Sequence, residues 1–178
     1  LSKGIEEAGF DVVLMETRLV KAALKAMPIK TDRRDAQGIA RLLQMGWYRP
    51  VHRKSVSSQE IRALLTARKS VQQAIINIEL SMRGVLRNFG LKLGHVTRIR
   101  YEARVKELVA QNDILSVSAL SLLHAREQLR AELASLDTTI AGLAKHDDVC
   151  RLMMTMPGVG PIVALTVRSA IDDPTRFA

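Results

Sequence analysis

Residues 57–89 read SSQEIRALLTARKSVQQAIINIELSMRGVLRNF, and this stretch decides the fold. Apolar side chains fall at Ile61, Leu64, Val71, Ile75, Ile78, Met82, Val85 and Phe89. With Arg68 counted as one slot, the steps alternate three and four, the heptad seam of a helix that packs on another helix. Ser57 and Glu60 have capping-box spacing, which predicts the helix start there. Gly90 and Gly94 bracket a break. A shorter helix is expected over 99–110, and a second long one from Asp113 to Lys145. The seam of that second helix is Leu122, Arg126, Leu129, Leu133, Leu136, Ile140 and Leu143, again in steps of four and three. Two such helices can fold back as an antiparallel hairpin or pair with a second copy of the chain, and a homo-oligomer through the coiled coil is an expected partner state. A charge in either seam, as in Ile75→Asp or Leu133→Asp, should destabilise the fold.

Composition agrees with helices. The chain has 178 residues, enough for one sizeable domain or two small ones. Apolar residues make up 47%, too many for a disordered chain, yet only 3% are aromatic, so the core is aliphatic. The single cysteine, Cys150, rules out an intrachain disulfide and leaves no zinc-ligand spacing. No apolar run approaches the ~18 residues of a membrane helix. Net charge is +9, and it is concentrated: residues 18–70 carry thirteen Lys/Arg against three Asp/Glu, whereas residues 111–178 carry six against eight. A clustered positive charge is what a polyanion-binding face requires, and nucleic acid is the expected partner.

The first fifty residues read differently. Residues 2–8 are expected to end a helix at Gly9, Asp11–Met15 to form a buried strand, and residues 18–26 a short basic helix interrupted by Pro28. A further helix is expected from Thr31 or Asp32 to Met45, closed by Gly46. One strand cannot make a sheet, so the rest of an α/β sheet is expected upstream of Leu1. The chain opens on Leu1 and closes on Phe177-Ala178 just after a turn signal, and both ends are expected to be cuts through a longer protein. Residues 47–54, WYRPVHRK, form a basic, aromatic loop whose Trp47 either stacks on nucleic acid or anchors the loop.

Two places carry chemistry. In KTDRRDA, residues 30–36, Asp32 and Asp35 stand three apart in a helical first turn and share one face. Paired carboxylates can hold Mg²⁺, although the same residues can simply cap the helix and complement its dipole. Arg33 and Arg34 stand between them, suited to phosphate. In MPGVG, residues 156–160, Gly158 and Gly160 shape a turn before a helix starting near Pro161. Backbone N–H groups beside a helix N-terminus suit phosphate, but a plain turn explains the pattern equally well.

Read together, KTDRRDAQGIARLL followed by WYRPVHRKS resembles the end of the first domain of DEDD-type insertion-sequence transposases. MRGVLRNFGLKLG is similar to their middle segment, and LMMTMPGVGPIVALTVRSAIDDPTRF to the opening of their second transposase domain. The resemblance covers nearly the whole chain, in the right order. It implies a mostly α chain with three parts. Residues 1–54 would be the C-terminal remnant of an α/β RNase H-like (RuvC-like) catalytic domain, 55–147 long coiled-coil arms, and 148–178 the start of a helix-hairpin-helix-like second transposase domain.

It further implies a DNA transposase or recombinase, cytoplasmic and nucleoid-associated in a bacterium, that cleaves and joins strands with Mg²⁺ and a serine. Asp32 and Asp35 match the last two of the family's four acidic ligands. The first two are expected upstream and the serine downstream; Glu16 is not carried over, and neither Ser2 nor Ser169 matches. This chain alone is therefore expected not to cut or join strands. Lys30, Arg33, Arg34, Arg49, Arg53, Lys54, Gly158 and Gly160 would contact nucleic acid, and the family's structured guide RNA is a further expected partner. The alternative is a non-catalytic DNA-binding protein with a coiled-coil dimerisation arm.

Overall fold

The structure, a computed structural model, describes residues 2–25 and 31–177. It is mostly helical, and it divides into two compact units, Leu1–Lys54 and Ser55–Ala178.

The first unit holds α1 (Ser2–Glu7), α2 (Thr17–Leu24) and α3 (Asp32–Gln44). The basic helix expected over 18–26 is α2; Pro28 and Lys30 lie outside the described residues. The expected buried strand at 11–15 is not formed. Its segment is extended and makes one antiparallel bridge, Met15 to Pro50. Glu16 N–H donates to the Arg49 carbonyl at 3.0 Å, and Val51 N–H to the Leu14 carbonyl at 2.8 Å. Met15 and Pro50 face each other as the non-hydrogen-bonded pair of this bridge, and no other segment pairs with these residues among those described, so the ladder stops at a bridge. Val13 and Leu14 are accordingly exposed. α3 begins where expected: Thr31 is extended, and its Oγ1 accepts from Arg34 N–H at 3.4 Å. It buries Gly38 and Leu42 on one face and ends at Met45 and Gly46.

The second unit is built on α4 (Val56–Asn88) and α6 (Asp113–His146), with α5 (Tyr101–Val109), α7 (Asp148–Met153) and α8 (Pro161–Ile171) packed against them, and a closing 3₁₀ turn, Pro174–Phe177. The long helices run antiparallel. Glu79 pairs with Arg126 and Arg68 with Asp137, so the register falls along α4 as it rises along α6. The seams thus meet within one chain, the fold-back arrangement. Helices of 33 and 34 residues each span about 50 Å at the usual 1.5 Å rise.

Two apolar clusters lie along this hairpin. At one end Met82, Leu86 and Leu93 pack with Tyr101, Val105 and Val109 of α5 and with Leu115, Ala119 and Leu123 of α6. At the other, Ile140 and Ala144 of α6 meet Cys150, Ala164 and Leu165, with Ile61, Leu64 and Leu65 of α4 against them. The ion pairs of Arg68 and Arg126 fall between the clusters. The short helices are therefore part of the fold, since α7 and α8 complete the second core.

Three details of the sequence reading change. The cap of α4 is Ser55, whose Oγ accepts from Ser58 N–H at 3.1 Å, and not Ser57. Ser55 wins because its hydroxyl is also held by Asp172 from the end of α8. Phe89 leaves the seam because it is the C-cap, where the chain turns; Leu86 is buried instead. On α6 the drift of a 3.6-residue helix against a strict heptad brings Ala144 inward and leaves Leu143 outside.

Candidate metal and nucleic-acid site

Asp32 and Asp35 both stand in the first turn of α3, after the Thr31 cap. Thr31, not Asp32, is therefore the capping side chain, and both carboxylates are left for other work. Asp32 is exposed and Asp35 half-buried. Asp35 borders a cavity of about 640 Å³ lined mainly by apolar side chains of the 13–15 segment, α2 and α3. Lys21 of α2 and Lys25, its C-cap, line the same cavity. Both lie on the basic helix expected over 18–26, where a spacing of four puts them on one face.

Carboxylate oxygens are the correct donors for Mg²⁺, so the chemistry of the pair fits that ion. Two carboxylates fill only part of its octahedral shell and leave the rest to water or further ligands. Among the described residues no three His, Cys, Asp or Glu side chains come together as a ligand group, and Glu16 does not join the pair. Glu16 instead precedes α2, with its N–H bonded to Arg49. What the unit presents is a pair of carboxylates in the first turn of a helix.

The cations around it are partly available. Arg33, Arg34 and Arg49 are exposed. Arg53 is exposed but its guanidinium pairs with Glu6, and Lys54 is half-buried, so neither is as open to a polyanion as its position in the sequence suggests. Lys30 lies outside the described residues. Trp47 is 72% exposed, so the ring does not anchor the loop in this unit and is open for stacking.

The second pattern lies between α7 and α8. Pro157 and Gly158 form the corner of a tight turn, closed by Val159 N–H donating to the Met156 carbonyl at 3.1 Å. Gly158 has φ +83°, the value a type II turn needs after proline, and a Cβ there would meet nothing within 4 Å. Glycine is required for its backbone, not for space. Gly160 is the N-cap of α8, Pro161 is the first helical residue, and no side chain caps this end.

Below the turn, Asp147 caps α7 by accepting from Cys150 N–H at 2.8 Å. Burial works against its charge, but that bond and Arg168, with Nε 3.3 Å from Oδ2, hold its carboxyl below the ordinary range. Burial first, then the Asp147 carboxylate, pushes the Cys150 thiol up to about 11. Cys150 is thus an inert core residue.

No helix among the described residues is long and apolar enough to cross a membrane. No solved structure matches the chain. Curated relatives do. A transposase for insertion sequence element IS1111A of Coxiella burnetii is 28% identical over 95% of this chain and 47% of its own length. A Pseudomonas aeruginosa protein named as a family 20 transposase is 25% identical over 99% of this chain and 53% of its own. The chain therefore spans about half the length of the curated relatives it matches. The model of the IS116/IS110/IS902 transposase family matches residues 150–178, which hold the glycine turn and α8. The DEDD transposase model of the IS110 type matches residues 1–90, half of the chain and all of the Asp32–Asp35 region, and the chain belongs to this family of insertion-sequence transposases.

Proposed function

We propose that this chain is the central part of a transposase that cuts and rejoins DNA, with Asp32 and Asp35 as two of its metal-ligating carboxylates. The observation that carries the reading is the first turn of α3: two carboxylates left free by the Thr31 cap, with exposed Arg33 and Arg34 between them. Asp32 and Asp35 would hold Mg²⁺; the ion, when bound, supplies activation of an attacking oxygen and charge for the leaving one. Arg33, Arg34 and Arg49 bind phosphates beside it, with Lys30, Arg53 and Lys54 extending the same basic stretch. Trp47 stacks on a base or sugar. The Gly158–Gly160 turn offers backbone N–H groups to a further phosphate. A structured guide RNA is a second polyanion these groups suit. The first unit corresponds to the last part of an RNase H-like domain, and α7 and α8 to the opening of the serine-bearing one.

Two assays test this reading. Extended to the length of its relatives, the protein should nick and join plasmid DNA in Mg²⁺, and Asp32→Ala with Asp35→Ala should abolish both. Retained cleavage in that double variant refutes the ligand assignment. In the chain itself, binding to duplex should fall with salt at a log–log slope of about −0.9 per phosphate contacted. Reversing Arg33, Arg34 and Arg49 to Glu should flatten that slope and weaken every sequence alike; a salt-independent affinity refutes the electrostatic reading.

A further inference from the structure

Between the two apolar clusters of the helical unit lies a pocket of about 350 Å³ that the basic stretch at 18–70 does not include. Four arginines line it: Arg83 from α4, Arg98 from the connector, and Arg126 and Arg130 from α6. Glu79 is the one carboxylate among its lining residues. That acid is already committed, because Arg126 donates to its Oε1 through Nε at 2.7 Å and brings Nη2 to the same oxygen at 2.7 Å as an ion pair. Arg126 is 5% exposed, and its guanidinium stacks 4.2 Å above the Tyr101 ring, so it is fixed in place. Arg83 donates to the Gly94 carbonyl at 3.0 Å and is held from the other side.

This leaves two cations and two orphaned polar atoms. No carboxylate pairs with Arg98 or Arg130 among the described residues. Arg130 Nε is buried without a hydrogen-bond partner, and so is the hydroxyl of Tyr101, a residue only 4% exposed. Both line the same pocket. Buried donors without acceptors are costly, and like charges gathered around one neutralised pair repel. The structural explanation of Arg126, its pair with Glu79, does not reach either orphan. Burial and the neighbouring Arg98 and Arg126 charges pull the Arg130 guanidinium below its ordinary range, outweighing the opposite effect of Glu127 and Glu79, while burial and Glu79 push the Tyr101 phenol up, so it stays a neutral donor.

A ligand that answers all of this carries negative charge, accepts several hydrogen bonds at once and fits beside guanidinium forks. Phosphate oxygens do so, and bidentate arginine contacts are the usual means. We propose that the pocket is a built site for a phosphate-class oxyanion, held by Arg98 and Arg130 with Tyr101 behind them, and separate from the Asp32–Asp35 region. Its source is either free phosphate or one backbone phosphate of a nucleic acid. The second source rests on the transposase reading above; the anion chemistry does not.

The test uses the whole chain. Thermal melts in sodium phosphate and in sodium chloride of equal ionic strength are compared for the wild type and for Arg98→Gln with Arg130→Gln. Phosphate should raise the wild-type Tm by an amount on the order of 3 °C, and the double variant should lose that rise. General stabilisation by an excluded salt would persist in the variant, so a rise kept there overturns the site. Arg98→Gln alone, at an exposed position, guards against simple misfolding and should reduce the rise. In parallel, if the backbone is the source, the salt slope for a short duplex should be shallower in the double variant by up to about 0.9 for each phosphate it no longer binds. Absence of the phosphate effect in the variant with an unchanged slope supports the site with free phosphate as its ligand. No phosphate effect in the wild type, with an unchanged slope in the variant, overturns the proposal. Reversal of Arg33, Arg34 and Arg49 reads the transposase interface separately, so either reading can fail without the other.

Discussion

Asp172 should be the most sensitive polar residue of the helical unit. It ends α8 with φ +64° and ψ −72°, and Asp173 N–H reaches back to the Ile171 carbonyl at 2.9 Å across it. That is the rare γ-turn in which a non-glycine residue is strained by ~1–3 kcal/mol. Its carboxylate accepts from Ser55 N–H at 2.8 Å, from Ser55 Oγ at 2.6 Å and from the buried Ser58 Oγ, all at the start of α4. A charged acceptor of three bonds at a helix N-terminus offsets the strain and ties the last long element to the first. Asp172→Ala removes the acceptors and keeps the strain. With charged hydrogen bonds at ~1.5–3 kcal/mol, partial exposure at Ser55 and no repayment of the turn, the loss is about 3 kcal/mol. For a unit of this size that lowers Tm by roughly 10 °C. Asp172→Gly relieves the backbone but does not restore the hydrogen bonds, so it should fall between alanine and wild type; Asp172→Asn keeps one acceptor and should lose least. Circular-dichroism melts and urea titrations read the order. An alanine variant melting within about 2 °C of wild type, or a glycine variant above it, refutes the reasoning.

Two further outcomes follow from the packing. Leu86→Asp places an unpaired charge in a fully buried apolar cluster and should cost about 3–5 kcal/mol in urea unfolding, whereas Ile75→Asp, which borders Arg126 and Arg130, should cost clearly less. Equal losses would mean that the arginine pocket does not offset a new carboxylate. Asp147 contributes stability with a definite pH sense. Its carboxyl is held below the ordinary 3.8, so its contribution is complete above the unfolded value and disappears as pH falls through the folded one. Wild type minus Asp147→Asn stability, followed from about pH 6 to about pH 2, should shrink toward zero; a difference constant over that range contradicts the Arg168 and Cys150 interactions.

Some of this was legible in residue order alone. Alternating steps of three and four at Ile61 through Val85, and at Leu122 through Ile140, sufficed for two long helices, because a buried seam is a local periodic signal. The Lys30–Ala36 motif located the carboxylate pair for the same reason. The strand at 11–15 did not form because pairing depends on neighbours that local pattern cannot supply, and among the described residues it finds a single bridge, to Pro50. Arg126 takes a seam position, but the pattern alone does not say what an arginine does there. A buried arginine needs Glu79 and Tyr101, which are far away in sequence and come together only when the hairpin closes. Asp172 was invisible for a similar reason: its partners, Ser55 and Ser58, lie at the opposite end of the unit's sequence.

The central claim is that Asp32 and Asp35 are ligands of a divalent ion, and Mn²⁺ substituted for Mg²⁺ tests it most directly. Two carboxylates with the remaining positions filled by water should bind weakly, near the millimolar range. Titrating Mn²⁺ into isotope-labelled chain and following amide signals by NMR should therefore broaden residues in the first turn of α3, around Asp32 and Asp35, before others. The Asp32→Ala, Asp35→Ala variant should lose that selective broadening while its spectrum is otherwise kept. Broadening spread evenly over the exposed acids, or unchanged in the variant, would contradict the claim.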